Sequence, residues 1–119
     1  MTSRVTPMIR IADMTATLAW YKAIGFSVVS TNECEGVVDW ASLSFGDTRV
    51  MFNIGGVRSA ERREVDLYVH TENVPELYSR LKDKVEIVEG VHDTFYGMRE
   101  FIARDPSGFW VTFAEPVVR

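Results

Sequence analysis

The stretch Tyr96-Gly-Met-Arg-Glu-Phe-Ile-Ala-Arg-Asp-Pro-Ser-Gly-Phe-Trp-Val-Thr-Phe113 decides the fold. It reads as strand, tight turn, strand. Asp105 opens a type I turn, Pro106 presets its second position and Gly108 closes it. Met98 to Arg104 and Phe109 to Ala114 are the two arms of the hairpin.

Upstream of that hairpin the order of elements is strand, helix, strand. Glu64 to His70 reads as a strand. Asn73-Val-Pro-Glu76 is close to a capping box with proline in the first helical turn, and Val74, Leu77 and Leu81 form the apolar helix face. Val85 to Glu89 is a further strand. The first half of the chain has the same order. Thr6 to Ile11 alternates, with Pro7, Ile9 and Ile11 on one face and Thr6, Met8 and Arg10 on the other. Asp13 caps a helix with an inner stripe of Met14, Leu18, Tyr21 and Ile24, and Gly25 ends it. Strands follow at Phe26 to Ser30, Asp39 to Phe45 and Thr48 to Ile54, the last two joined by a II′ turn at Gly46-Asp47. Matching elements are offset by about 60 residues, which marks an internal repeat of two modules, about 1–57 and 58–119. Asn53 to Arg63 and Gly90 to Gly97 read as loops. The first carries Arg58, Arg62 and Arg63 and is expected to be a solvated linker.

Composition sets bounds on function. The chain has 119 residues, 46% of them hydrophobic and 25% charged, which suits one globular domain. A formal charge of -4 disfavours nucleic acid as a partner and mildly favours cationic ligands. No apolar run reaches membrane-spanning length and no signal-peptide stretch precedes the first strand, so neither a membrane partner nor export is expected. The single cysteine, Cys34, lies between Glu33 and Glu35 and is read as a bystander in a reducing, cytoplasmic setting.

The hairpin, taken with the Asp13-Met14-x-x-x-Leu18-x-Trp20-Tyr21 helix, resembles the glyoxalase / bleomycin-resistance / extradiol dioxygenase (vicinal oxygen chelate) superfamily. The resemblance spans essentially the whole chain. It implies an α+β fold in which two βαβββ modules form a curved, mainly antiparallel eight-stranded sheet, with helices on the convex side and a ligand on the concave side. It is closest to the metal-free bleomycin-resistance-type proteins, whose aromatic-Gly, Arg-Glu-Phe and Arg-Asp-Pro pattern is matched by Tyr96-Gly97, Arg99-Glu100-Phe101 and Arg104-Asp105-Pro106. Met98 is an extra residue within that pattern.

Metal enzymes of the superfamily place one ligand on each of four strands. Carried over, these positions fall at Thr6, Met51, Asp66 and Thr112, of which only Asp66 is a good ligand for a divalent ion. His70 lies four residues further along the strand, about 13 Å away at about 3.3 Å per residue. His92 has no spaced partner. No metal and no cofactor are therefore expected.

Strand alternation assigns Trp40, Ser42, Ser44, Arg49, Met51, Asn53, Asp66, Tyr68, His70, Trp110 and Thr112 to the concave side, and Val65, Leu67, Val69, Val111 and Phe113 to the core. The expected ligand-binding set is Trp40, Met51, Asn53, Asp66, Tyr68, Tyr96, Gly97, Trp110 and Thr112. Aromatic area with sparse polar groups is the make-up of a small-molecule pocket. The same aromatics would also fill a collapsed cup or a subunit interface. Arg10 or Arg49 is a candidate internal partner for Asp66.

The expected function is sequestration of a flat or cationic small molecule, as in antibiotic resistance, by a cytoplasmic homodimer. No catalytic residue is assigned. The alternatives are a metal-dependent lyase or dioxygenase of the same superfamily, a metal-free enzyme using Asp66 or His70, and a structural dimer with a closed cup. Glu100 is the remaining plausible acid or base, and no spacing links these groups.

Overall fold

The computed structural model describes residues 3–118. Its elements run β1 (Met8–Ile11), α1 (Met14–Ala23), β2 (Ser27–Cys34), β3 (Val37–Phe45), β4 (Thr48–Ile54), β5 (Leu67–His70), α2 (Val74–Leu81), β6 (Glu86–Asp93), β7 (Met98–Arg104) and β8 (Trp110–Pro116). The chain divides into two compact units, the first ending at Arg58 and the second beginning at Ser59. Each holds one βαβββ module with its own four-stranded sheet, ordered β1-β4-β3-β2 in the first and β5-β8-β7-β6 in the second. In each, the first strand pairs in parallel with the last and the other pairings are antiparallel.

In the first unit Asp13 caps α1 by accepting a hydrogen bond from the Ala16 backbone at 3.0 Å. Such a cap contributes about 1 kcal/mol. The inner stripe is Met14, Thr17, Tyr21 and Ile24. Thr17 takes the place expected for Leu18, because its hydroxyl donates to the Asp13 carbonyl at 2.7 Å and needs no outside partner. Tyr21 is fully buried against Phe52, with ring centroids 4.7 Å apart. This contact sets Val50, Phe52, Ala41 and Leu43 toward the helix. Gly46, at φ +60, makes the tight turn between β3 and β4.

In the second unit Asn73 caps α2: its Oδ1 accepts from the Glu76 backbone N–H and its side-chain amide donates to the Glu76 carboxylate, a variant of the capping box in which the Asn73 backbone N–H is left for another partner. The backbone N–H groups of Asn73 and Val74 also donate to the Glu115 carboxylate, at 2.9 and 2.6 Å. The helix start is thereby tied to β8, and a negative charge sits at its positive end. Phe101 and Phe113 stack at 4.7 Å beneath Tyr78.

The Asp105 turn forms as expected. Asp105 Oδ1 accepts from the backbones of Ser107 and Phe109, both at 2.9 Å, in a fully enclosed position. Gly108 has φ +100, and a Cβ there would lie 2.1 Å from the Ser59 carbonyl oxygen. Both conditions exclude any other residue.

Several boundaries differ from the sequence expectation. β2 runs on to Cys34 and β3 starts at Val37, so the two form a longer hairpin through Glu35 and Gly36, both at positive φ. Gly90 to Gly97 is not a loop throughout, since β6 continues to Asp93. Thr31 to Cys34 and Gly90 to Asp93 lie past the edge of the core. Their ladder hydrogen bonds hold them extended without an apolar period to announce it. β1 and β5 are shorter than expected, which leaves Thr6 and Asp66 outside the strands and Val65 half exposed rather than in the core.

Candidate functional site

In each sheet, alternate residues turn away from the helix. In the first unit this free face carries Met8 and Arg10 from β1, Met51 and Asn53 from β4, and Trp40, Ser42 and Ser44 from β3. Register places Met8 opposite Met51 and Met51 opposite Ser42. Arg10 pairs with Asn53, and Asn53 with Trp40. Asn53 Oδ1 is buried without a hydrogen-bond donor among the described residues. Trp40, Met51 and Asn53 thus share one face. A cleft of about 700 Å³ in this unit lies elsewhere, beside the start of α1 and lined by Asp13, Met14, Val37 and Gly55 among others.

In the second unit the free face carries Tyr68 and His70 from β5, Trp110 and Thr112 from β8, and Glu100, Ile102 and Arg104 from β7. Tyr68 is in register with Thr112 and His70 with Ala114. The expected contacts sort into two groups at opposite ends of the face.

At one end, Asp66 is paired with Arg62 at 2.5 Å. Its ion-pair partner therefore comes from its own unit, four residues upstream. The Arg62 guanidinium also lies 4.2 Å from the centroid of the Trp110 ring. Arg62 therefore belongs to this cluster and not to a purely solvated linker. Trp110 Nε1 is buried without an acceptor among the described residues.

At the other end, Glu100 is 3% exposed, and its Oε2 accepts hydrogen bonds from two phenols. One is Tyr68. The other is Tyr96, at 2.8 Å. Burial pushes the Tyr68 phenol well above its ordinary pKa, and the hydrogen bond to Glu100 and that carboxylate's charge push in the same direction. Tyr96 shifts upward too, chiefly through its hydrogen bond to Glu100. Tyr68 and Tyr96 remain 43% and 54% exposed, so both rings are open to a ligand. His70 stands beside Tyr68 with ring centroids 5.1 Å apart. Gly97, at φ +84, turns the chain just after Tyr96, and its carbonyl holds the Val117 N–H at 2.9 Å.

Glu100 is the central residue that strand spacing left unlinked. Phe101 and Ala103 are core residues, so alternation puts Glu100 on the free face. Its phenol partners lie 32 and 4 residues away.

The register also shows what lies beside the carried-over metal positions. Thr6 precedes β1, and Met8 is the residue opposite Met51. Asp66 precedes β5, and Tyr68 is the residue opposite Thr112. At the carried-over positions the first unit offers a hydroxyl and a thioether, and the second a hydroxyl and the Asp66 carboxylate, which is paired with Arg62. Neither unit supplies at these positions the several imidazole, carboxylate or thiolate ligands that a divalent transition metal requires. Among the described residues, no group of three His, Cys, Asp or Glu side chains is placed to hold an ion. No helix among them is long and apolar enough to cross a membrane.

Residues 4–113 match the family model described as Glyoxalase/Bleomycin resistance protein/Dioxygenase superfamily. Among solved structures, TioX from Micromonospora sp. ML1 is similar at 22% identity, with 98% of each chain covered and a TM-score of 0.74. A bleomycin-binding protein complexed with bleomycin is similar at 19% identity, covering 96% of this chain and 98% of that one, with a TM-score of 0.74. A bleomycin resistance determinant encoded on the transposon Tn5 gives 19% identity, 98% and 100% coverage, and a TM-score of 0.74. No curated protein sequence matches the chain.

Proposed function

Because the chain belongs to the Glyoxalase/Bleomycin resistance protein/Dioxygenase superfamily, we propose that it is a metal-free binding protein of the bleomycin-resistance type, holding a flat or cationic small molecule by contact. The observation that carries this reading is the register of the two sheets. It sets Met8 against Met51 in one unit and Tyr68 against Thr112 in the other, beside the positions carried over from the superfamily's metal enzymes. Thioethers and aromatic rings are adaptable contact surfaces and poor chelators of hard or borderline cations.

The proposed ligand contacts are Trp40, Met51 and Asn53 in the first unit and Tyr68, Tyr96, Trp110 and Thr112 in the second. The orphan Asn53 Oδ1 and Trp110 Nε1 suit a ligand donor and a ligand acceptor respectively. Asp66 and Gly97 have supporting roles in this reading: Asp66 holds Arg62 over Trp110, and Gly97 shapes the turn after Tyr96. The working form is proposed to be a cytoplasmic homodimer acting in antibiotic resistance by sequestration. Two relatives of the same fold have bleomycin in their names, which makes bleomycin the first compound to test. Isothermal titration of chelator-dialysed protein with bleomycin is expected to give saturable heat. An absence of binding across a panel of such drugs would overturn the drug-binding reading.

A further inference from the structure

We propose that Tyr68, Tyr96 and Glu100 form a recognition site for an organic cation, the ammonium or amidinium end of the ligand. This rests on the reading of the chain as a small-molecule binder and names the group that binding selects.

Glu100 is almost wholly enclosed, and among the described residues it makes no ion pair. Three arginines of this unit are paired with other carboxylates: Arg62 with Asp66, Arg99 with Asp93 and Arg104 with Glu86. A buried carboxylate normally has a cationic partner or several hydrogen-bond donors. Here it has two phenols, and both donate to the same oxygen, Oε2. Oε1 receives no hydrogen bond from any described residue. The sheet therefore carries a carboxylate without an ion-pair partner among the described residues, held at Oε2 by the hydroxyls of two half-exposed aromatic rings.

The hydrogen bonds also act on the rings. A phenol that donates to a carboxylate is polarised, and electron density moves from its O–H into the ring. The ring faces become more negative and attract a cation more strongly. With their hydroxyls committed to Glu100, Tyr68 and Tyr96 are oriented and have little to offer a neutral polar ligand. A planar amidinium satisfies both features, since its face or edge rests on the rings and its N–H groups are directed at Oε1.

Benzamidine and its neutral near-isostere benzamide are suitable probes, followed by proton NMR of the probe at constant ionic strength. Wild-type protein is expected to prefer benzamidinium by at least about tenfold. Glu100→Gln keeps the size and an acceptor oxygen and is expected to abolish the preference. Tyr96→Phe keeps the half-exposed ring and removes the hydroxyl that donates to Glu100, and it should weaken benzamidinium several-fold while leaving benzamide unchanged. Equal binding of the two probes by wild type, or full preference retained in both variants, overturns the proposal. A parallel bleomycin titration separates the two readings. Bleomycin bound equally by wild type and Glu100→Gln, with no benzamidinium preference, removes the cation site and leaves the drug binder. A Glu100-dependent benzamidinium preference without bleomycin binding does the reverse.

Discussion

Replacing Asp105 with alanine removes the acceptor that organises the β7–β8 turn. Its Oδ1 receives two backbone N–H groups, from Ser107 and Phe109, each at 2.9 Å. Ser107 is fully buried and Phe109 is 7% exposed, so water does not readily replace the lost oxygen. Each unsatisfied buried donor costs about 1–3 kcal/mol, and the pair about 2–6 kcal/mol. For a domain of this size that corresponds to a fall in melting temperature of roughly 8–24 °C. Urea denaturation followed by far-UV circular dichroism measures the loss directly. Asp105→Asn retains Oδ1 and is expected to lose clearly less. Asp47→Ala, at an exposed turn, is the control and should stay within about 0.5 kcal/mol of wild type. If Asp105→Ala were no less stable than the Asp47→Ala control, the turn would not depend on that carboxylate and the reasoning would fail.

Gly108→Ala combines positive φ with a backbone clash against Ser59, so it should destabilise by more than about 2 kcal/mol in the same urea assay. Arg62→Ala breaks an ion pair whose side chains are 57% and 31% exposed; it should cost under about 1 kcal/mol yet increase acrylamide quenching of tryptophan fluorescence as Trp110 loses its cover. The raised phenol pKa values mean that the folded state favours neutral Tyr68 and Tyr96. Their contribution to stability is fully present below the ordinary tyrosine value near 10 and is lost as pH rises through the raised values. Ultraviolet titration should show phenols ionising late, and Glu100→Gln should bring them back toward 10.

What was legible in the sequence followed from local chemistry. Asp105-Pro-Ser-Gly108, Gly46-Asp47 and Asn73-Val-Pro-Glu76 each fix a turn or cap through side chains a few residues apart, and these fixed the two modules. Strand ends were less visible. Thr31 to Cys34 is polar and stays extended because β3 supplies its hydrogen bonds, a fact no periodicity reports. The same uncertainty left Thr6 and Asp66 just outside the strands expected to carry them. Free-face residues could be grouped by alternation, but their pairing could not. Arg62 reaches Asp66 from a segment that reads as a linker. Glu100 draws Tyr68 from another strand and Tyr96 from a turn, through contacts that only register defines.

Calorimetric titration of bleomycin into protein dialysed against a strong chelator, repeated after loading with nickel, zinc, manganese or iron, tests the contact-only account most directly. The expected isotherms are superimposable, with no transition metal retained in stoichiometric amount on elemental analysis. Binding that vanishes on chelation and returns with one of these ions would contradict it.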